Sequence, residues 1–207
     1  PVWSNAVFLH KVSAALNIPN CVLLNIETAA EHTASPARRS MLNIVIVGGG
    51  ATGIELAGAF AELKSHIIPK DYPEYVHGEL TIYLLEAADR LIGTMSKKTS
   101  EDTLALLTKM GVEVVLNCAV TGYEQNKVIL KNGMQIPTRN LIWTSGVTIL
   151  LPEGLENAVR GRGSRAVTDE FFALKGYEDI FVIGDASLQQ SEKYPNGYPQ
   201  LARIAIE

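Results

Sequence analysis

The spacing of hydrophobic positions changes along the chain and predicts alternating strands and helices. Four short runs are rich in apolar and β-branched residues, as are strands buried on both faces of a parallel sheet. These runs are 43–47, 80–86, 112–116 and 141–147. Helical spacing separates the first three, so the pattern indicates an α/β fold with a parallel sheet.

Helices are predicted between these strands and before them. One covers about 52–66, and another opens at Ser100, which is followed by two acidic residues, and ends before Gly111. Residues 5–16 also have helical spacing. The run CVLLNI (21–26) is interpreted as a strand or a buried apolar run.

The hydrophobic pattern changes over residues 119–138, where short runs of alternating apolar and polar residues predict a β-meander. Two dipeptides are its turn signals, Gln125-Asn126 and Asn132-Gly133. A polar, glycine-rich loop follows beyond residue 148. One further strand is predicted after it, at 165–171, and the segment DIFVIGDAS follows at 179–187.

Composition narrows the functional classes. The 207-residue chain is 47% hydrophobic and can bury a sizeable core, while its formal charge of −4 argues against a nucleic-acid partner, since phosphate binding needs a basic excess. Two distant cysteines and four scattered histidines fit neither a disulfide framework nor a metal site, and they favour a reducing, cytoplasmic compartment. The longest uncharged run, Met41–Ile54, is shorter than the roughly 18–20 residues of a membrane span.

A glycine-rich turn lies between the first buried strand and its helix. The order strand, Gly48-x-Gly50-x-x-Gly53, helix is typical of a dinucleotide-binding fold. There the first glycine permits a tight turn, the second lets the backbone approach a pyrophosphate, and the third lets helix and strand pack closely. The residues expected to contact the nucleotide are Gly48, Gly49, Gly50, Ala51, Thr52, Gly53 and Ile54.

The same fold places an acid at the end of its second strand to accept the ribose hydroxyls. Glu86 closes the run TIYLLE, with Ala87 after it, and lies farther from Gly53 than usual because a proline-containing loop intervenes. A carboxylate here repels the 2′-phosphate of NADP(H), so the sequence favours NAD(H). The alternative is that Glu86 only caps its strand in solvent.

Glu55 has two interpretations of equal weight from chemistry alone. A carboxylate in the first turn of a helix gains about 0.3–1 kcal/mol from the helix dipole without any function. The same position would also lie beside the mouth of a dinucleotide crevice.

Four segments in this order resemble the two-dinucleotide flavoprotein superfamily: IVIVGGGATGIELAG, IYLLEAADRL, LIWTSGV and DIFVIGDAS. Within that superfamily the chain is most similar to type II NADH dehydrogenase, the single-subunit NADH:quinone oxidoreductase. The resemblance covers nearly the whole chain. It implies an NADH-binding Rossmann-like domain over 42–147, inserted into an FAD-binding domain to which 1–41 and 148–207 would belong.

The resemblance also implies roles for individual residues. Gly184 and Asp185 match the family's second FAD signature, in which the aspartate hydrogen-bonds the ribityl chain. Ser145 and Gly146 match a small-residue turn that passes close to the nicotinamide nucleotide. Glu55 matches the acid that the family places near the nicotinamide ring, which favours a functional role for it.

The stretch YPNGYPQLARIAIE resembles the family segment that lies under the flavin and helps to form the quinone site, with Ala202 as a further candidate for cofactor contact. The family has Gln at the positions of Arg203 and Glu207, so the quinone side departs from its pattern. A second glycine-rich motif, for the adenine half of FAD, is missing from the sequence. The chain is therefore expected to be a segment of a longer enzyme.

The implied reaction is hydride transfer from NADH to FAD, followed by delivery of electrons to a quinone. The whole enzyme would lie peripherally at the cytoplasmic face of the inner membrane, and the resemblance allows a homodimer. The alternatives are another reductase of the superfamily, of the ferredoxin or disulfide type, or an NADH-binding module that has no turnover by itself. The lack of a CxxC pair argues against a thioredoxin-reductase type.

Overall fold

The computed structural model describes residues 7–8, 12–32, 35–72, 79–146, 149–198 and 200. The strands are β1 (Val7–Phe8), β2 (Asn43–Val47), β3 (Thr81–Leu85), β4 (Val112–Val115), β5 (Val120–Glu124), β6 (Lys127–Leu130), β7 (Gln135–Pro137), β8 (Asn140–Trp143), β9 (Ala166–Val167) and β10 (Ser187–Leu188). The helices are α1 (Val12–Ala30), α2 (Pro36–Leu42), α3 (Ala51–Glu62), α4 (Ile68–Asp71) and α5 (Lys97–Lys109). A π-helical turn, Leu63–Ile67, joins α3 to α4, and Arg162–Ser164 and Gly184–Ala186 are 3₁₀ turns.

The chain divides into two compact units, Pro1–Ser145 and Gly146–Glu207. This division lies close to the boundary predicted after residue 147. Residues 1–41, in contrast, fall in the same unit as the parallel sheet. The assignment of the three segments to an NADH domain and an FAD domain stays a prediction.

Five strands of the first unit form one parallel sheet in the order β1-β8-β2-β3-β4. Ile46 in β2 pairs with Leu84 of β3 on one side and with Ile142 of β8 on the other. The chain leaves β2 towards β3 and later returns through β8 on the opposite side, so the direction of winding reverses between β2 and β8. The predicted α/β fold, with a parallel sheet and a β-meander, is confirmed.

Both faces of the parallel sheet are covered, which explains why its strands are so apolar. Because alternate residues of a strand point to opposite faces, β2 contributes to two cores. Ile44 and Ile46 pack in the cluster formed with α1, α3 and α5. Val45 and Val47 pack in the cluster formed with β5, β6 and β7. The first unit thus has three layers, which are helices, parallel sheet and meander.

The third layer is an antiparallel sheet of β5, β6 and β7, as the alternation over 119–138 predicts. Gln125 and Asn126 have left-handed backbone angles, with φ of 50° and 58°, as a two-residue type I′ hairpin turn requires. Gly133 is also left-handed, with φ of 86°, in the second turn. Both predicted turns are therefore confirmed.

The run 21–26 lies in α1, so its interpretation as a strand is wrong. The apolar side chains that α1 buries recur at helical intervals: Ile18, Val22, Ile26 and Ala29. A window of six residues is too short to show that period, and a short apolar run alone does not separate a strand from a buried helix. The helix predicted over 5–16 is also wrong at its start, because β1 is a strand and α1 begins at Val12.

The N-cap of α5 is Ser96, whose hydroxyl accepts the N–H of Thr99 at 3.1 Å. The predicted start at Ser100 is therefore wrong. Ser100 lies inside the helix and is only 4% exposed, and its hydroxyl donates to the carbonyl oxygen of Leu91. The predicted end is confirmed, since α5 stops at Lys109 and Gly111 follows with φ of 83°.

The second unit consists mostly of turns and short bridges. β9 and β10 pair in parallel, so the strand predicted over 165–171 is confirmed for two residues, and β10 begins only at Ser187, the last residue of the segment 179–187. Within the described residues, Phe181 pairs only through an isolated bridge to Ala173, and Ile183 is 72% exposed. A strand forms only where at least one neighbouring strand pairs with it over several residues, and in the described residues the pairing around Phe181 is limited to that one bridge. The unit is held by a small core of Leu155, Ala158, Ala166 and Leu174.

In the part of the chain that the structure describes, no helix is both long and apolar enough to cross a bilayer. Among the same residues, no three His, Cys, Asp or Glu side chains come together as a metal site would require. Cys21 and Cys118 are free thiols, the first exposed and the second buried.

Candidate functional site

The glycine-rich turn lies at the carboxyl edge of the parallel sheet, where the winding reverses between β2 and β8. Gly48 follows β2, and its N–H donates to the carbonyl oxygen of Leu85 in β3 at 2.8 Å. Thr144 follows β8, and its N–H donates to the carbonyl oxygen of Val47 at 2.9 Å. In open α/β sheets, ligands bind at this edge, beside the point of reversal. The fold therefore brings two turns together at a position suited to a nucleotide.

Gly48 and Gly53 touch where the turn meets α3. A Cβ on Gly53 would lie 1.9 Å from the carbonyl oxygen of Gly48, a distance that no side chain can occupy. Gly48 has a φ of 119°, and a Cβ there would lie 2.8 Å from Oγ1 of Thr144. Strand and helix approach so closely that the first and third positions of the motif accept glycine alone.

Gly50 differs from both, because a Cβ on it would meet no atom of the described chain within 4 Å. Gly50 is the N-cap of α3, and no described side chain caps the helix. Helix geometry leaves the first N–H groups, among them those of Ala51 and Thr52, without partners inside the helix, and they carry partial positive charge. The open side of Gly50 and these N–H groups form a surface that fits a pyrophosphate. Ile54, one turn further, is partly buried against the core.

The Glu86 carboxylate lies against the glycine-rich turn. Its Oε2 accepts the N–H of Gly49 at 2.5 Å, and its Oε1 accepts the N–H of Ala88 at 2.8 Å. Each carboxylate oxygen has a second lone pair, so the group can still accept hydroxyl protons from a ribose. Ala87, the next residue, is exposed. The contact with Gly49 adds a function that the motif does not indicate, because the carboxylate also fixes the turn.

Glu55 is an exposed residue of α3. The helix predicted over 52–66 begins one residue earlier, at Ala51, and ends at Glu62 before the π-helical turn. Glu55 is therefore the fifth helical residue, and its predicted place in the first turn is wrong. Since the dipole effect falls off within the first turn, that explanation of the residue is weakened. Within the described residues, its carboxylate makes no hydrogen bond or ion pair.

The turn after β8 lies directly on the glycine-rich turn. Oγ1 of Thr144 donates to the carbonyl oxygen of Val47 at 2.9 Å. A Cβ on Gly48 would lie 2.9 Å from that of Ser145, which is itself exposed. Two turns that follow different strands thus share one patch of the sheet edge.

The remaining candidates belong to the second unit. Gly146 and Gly184 have left-handed backbones, with φ of 79° and 66°, and a Cβ on either would meet no described atom within 4 Å. Asp185 is exposed in the 3₁₀ turn, and its backbone oxygen accepts Nε2–H of Gln200 at 3.1 Å. The open side of Gly184 leaves room for a cofactor to approach.

Three predicted positions lie outside the described residues: Ala202, Arg203 and Glu207.

Sequence reasoning missed the segment that follows Glu86. The N–H of Ile92 donates to the carbonyl oxygen of Gly49 at 2.8 Å, and the side chain of Leu91 packs against the same glycine. These contacts are made by backbone atoms and by an ordinary leucine side chain. No sequence pattern signals them, so only the folded chain reveals them.

The family profile described as pyridine nucleotide-disulphide oxidoreductase matches residues 14–207, which is most of the chain. The chain belongs to this family.

Curated relatives within the family are named as NADH dehydrogenases. The chain is 28% identical over 195 residues to a probable NADH dehydrogenase of Dictyostelium discoideum, covering 94% of this chain and 43% of that protein. It is 28% identical over 208 residues to the type II NADH:quinone oxidoreductase Ndh of Mycobacterium tuberculosis, covering 96% and 43%. The resemblance to type II NADH dehydrogenases is confirmed. The chain spans less than half the length of these relatives.

A solved member of the same fold is NDH2 from Plasmodium falciparum in complex with NADH. It matches 90% of this chain and 40% of its own, with a TM-score of 0.75 and 22% identity. At this identity the likeness concerns the fold. It supports the Rossmann-like architecture of this member of the family.

Proposed function

We propose that this chain is the NADH-binding portion of an FAD-dependent NADH dehydrogenase. The observation that carries the proposal is the glycine-rich turn, closed by the contact of Gly53 with Gly48 and held from the side by Glu86. The names of the relatives support the same activity for the whole protein.

In this proposal, different residues bind different parts of the nucleotide. The N–H groups at the start of α3, from Ala51 onward, hold the pyrophosphate, because they are uncapped among the described residues and face open space beside Gly50. The Glu86 carboxylate accepts hydrogen bonds from the hydroxyls of the adenosine ribose. Glu55 and Ser145 orient the nicotinamide end, where ring placement decides whether hydride transfer is possible.

Bound FAD supplies the hydride-accepting chemistry. In this chain, Asp185 would hydrogen-bond the cofactor, and Gly184 would let it approach. The proposed FAD-binding segments are 1–41 and 148–207, and the proposed NADH-binding domain is 42–147. This division follows from the resemblance to the family.

We further propose that a quinone accepts the electrons and that the whole protein works peripherally at the cytoplasmic face of the inner membrane. The support for the quinone is the Mycobacterium tuberculosis relative, which is named as an NADH:quinone oxidoreductase. A homodimer belongs to the same hypothesis, and sedimentation of the whole protein tests it.

The proposal is tested by titrating the chain with NADH and with NADPH in a calorimeter. We expect tighter binding of NADH, because the Glu86 carboxylate repels a 2′-phosphate. Glu86→Ala should narrow the difference, since loss of a charge-assisted hydrogen bond costs about 1.5–3 kcal/mol. Equal affinities in the unsubstituted chain, or tighter NADPH, would contradict the assignment of Glu86.

A further inference from the structure

Gly49, the middle glycine of the turn, is held on three sides. Its N–H donates to Glu86 at 2.5 Å, and its carbonyl oxygen accepts the N–H of Ile92 at 2.8 Å. A Cβ on Gly49 would lie 2.6 Å from Cδ2 of Leu91. Both backbone polar groups of Gly49 are therefore engaged within the protein. The turn can move only if the segment around Leu91 and Ile92 moves with it.

Ile92 adopts an unfavourable backbone conformation to make this contact. Its φ is 38°, which is rare for a β-branched residue because the side chain crowds the backbone. Such strain persists only where the surrounding structure determines it, and it concentrates at binding sites. The carbonyl oxygen of Ile92 also accepts the N–H of Met95 at 2.8 Å. The residue is thus fixed from both sides.

The anchor of this segment is Ser100 of α5. Its hydroxyl donates to the carbonyl oxygen of Leu91, and both residues are almost fully buried, at 4% and 1% exposure. A serine inside a helix usually bonds within its own helix or faces water. Here it ties the helix to the segment that holds Gly49.

We propose that Ser100 is a positioning residue for nucleotide binding. Through Leu91 and Ile92 it fixes Gly49, and Gly49 sets the orientation of Gly50 and of the N–H groups that follow. The ligand chemistry served is a pyrophosphate, since a Cβ on Gly50 would meet no described atom within 4 Å and the first N–H groups of α3 have no partner inside the helix. This inference rests on the proposed binding of NADH.

The test compares Ser100→Ala with Thr108→Ala. Thr108 is a matched control, because it also lies in α5 and its hydroxyl donates to a backbone oxygen, that of Leu104 at 2.8 Å, but on an exposed surface. We expect Ser100→Ala to weaken NADH binding by roughly three- to tenfold, the factor that corresponds to one ordinary hydrogen bond. Affinity for adenosine, which has the ribose but no phosphate, should change less than twofold. Thr108→Ala should leave both affinities unchanged.

A second measurement needs no nucleotide. Amide hydrogen exchange, followed by NMR in the unliganded chain, should become faster at Gly49 and Gly50 in Ser100→Ala, while the amides of β2 and β3 keep their protection. Uniformly faster exchange, or an equal loss of NADH and adenosine affinity, would mean that Ser100 only stabilises the fold, and the proposal would be overturned. If the unsubstituted chain binds no NADH, the proposed function fails. The exchange at Gly49 and Gly50 then decides by itself whether Ser100 positions the turn.

Discussion

The two turns assigned to nucleotide cofactors differ in how firmly the described chain holds them. The turn from Gly48 to Gly53 follows β2, which is flanked by two parallel strands, and Glu86 and Ile92 fix Gly49 within it. The turn at Gly184 and Asp185 is exposed and is held by hydrogen bonds from Ser187 and Gln200. A binding turn that is already ordered loses little entropy when its ligand arrives. We therefore expect the first turn to bind its nucleotide in this chain and the second to bind poorly.

The largest effect is expected from Gly53→Ala. The new methyl group would collide with the carbonyl oxygen of Gly48, which lies 1.9 Å from its ideal position, so strand and helix must separate. Overpacking of this kind costs about 1–3 kcal/mol of stability. NADH binding should be lost, because the turn no longer closes. Urea unfolding and calorimetric titration measure the two consequences.

The control is Gly58→Ala in the same helix, where a Cβ would meet no described atom within 4 Å. Alanine is favoured over glycine inside a helix by about 0.5–1 kcal/mol, so this variant should be more stable and bind NADH normally. If Gly53→Ala behaved like Gly58→Ala, the close approach of turn and helix would be irrelevant to binding.

A smaller effect is expected from Glu86→Gln, which keeps the shape of the side chain. Both carboxylate oxygens accept backbone N–H groups, and a glutamine offers only one oxygen. One N–H group, of Gly49 or Ala88, would then face another donor, at a cost of about 1–3 kcal/mol. We expect lower stability in urea and weaker binding of NADH. Glu124→Gln, at an exposed position of β5, should change neither quantity.

Glu55→Gln tests the nicotinamide end in the whole enzyme. If Glu55 orients the ring, hydride transfer to the flavin should slow by roughly tenfold or more while NADH affinity changes little, because pyrophosphate and ribose contacts supply most of the binding. Stopped-flow bleaching of the flavin measures the rate. An unchanged rate, with at most about 1 kcal/mol lost in stability, would assign Glu55 to the helix surface alone.

The smallest effect is expected from Asp185→Ala, which should leave NADH affinity unchanged.

The purified chain, without any substitution, should contain little or no FAD, because one hydrogen-bonding aspartate cannot hold a dinucleotide without a pyrophosphate site of its own. The absorbance of the purified chain near the flavin bands measures its content. If the purified chain contained one FAD per molecule, the expectation that the second turn binds poorly would be wrong, and the glycine-rich turn would be reassigned to FAD.

The strands of the parallel sheet could be predicted because a strand buried on both faces needs a continuous run of apolar residues, which is visible in the sequence. NIVIV is apolar at nearly every position, and β2 lies at 43–47 as expected. The start of α5 could not be placed, since Ser96 and Ser100 can each begin a helix. Burial of Ser100 against Leu91 decides between them, and that contact depends on tertiary packing.

In the candidate site, too, contacts that depend on tertiary packing could not be predicted from the sequence. The spacing of Gly48, Gly50 and Gly53 has a local cause, so the turn was predictable from the sequence. The hydrogen bond between Glu86 and Gly49 joins residues that follow two different strands, and no local pattern encodes it. The residues that hold the motif in place are therefore harder to predict than the motif itself.

The strand order of the first unit also has a consequence for folding. β2 pairs with β3 across a loop less than half as long as the one that separates β2 from β8. Closing the longer loop costs more chain entropy, and long-range parallel pairing is slow to form. We therefore expect β8 to dock after β2 and β3 have paired. The turns that follow β2 and β8 meet only at that step, so NADH should bind the native chain and leave earlier folding intermediates unaffected.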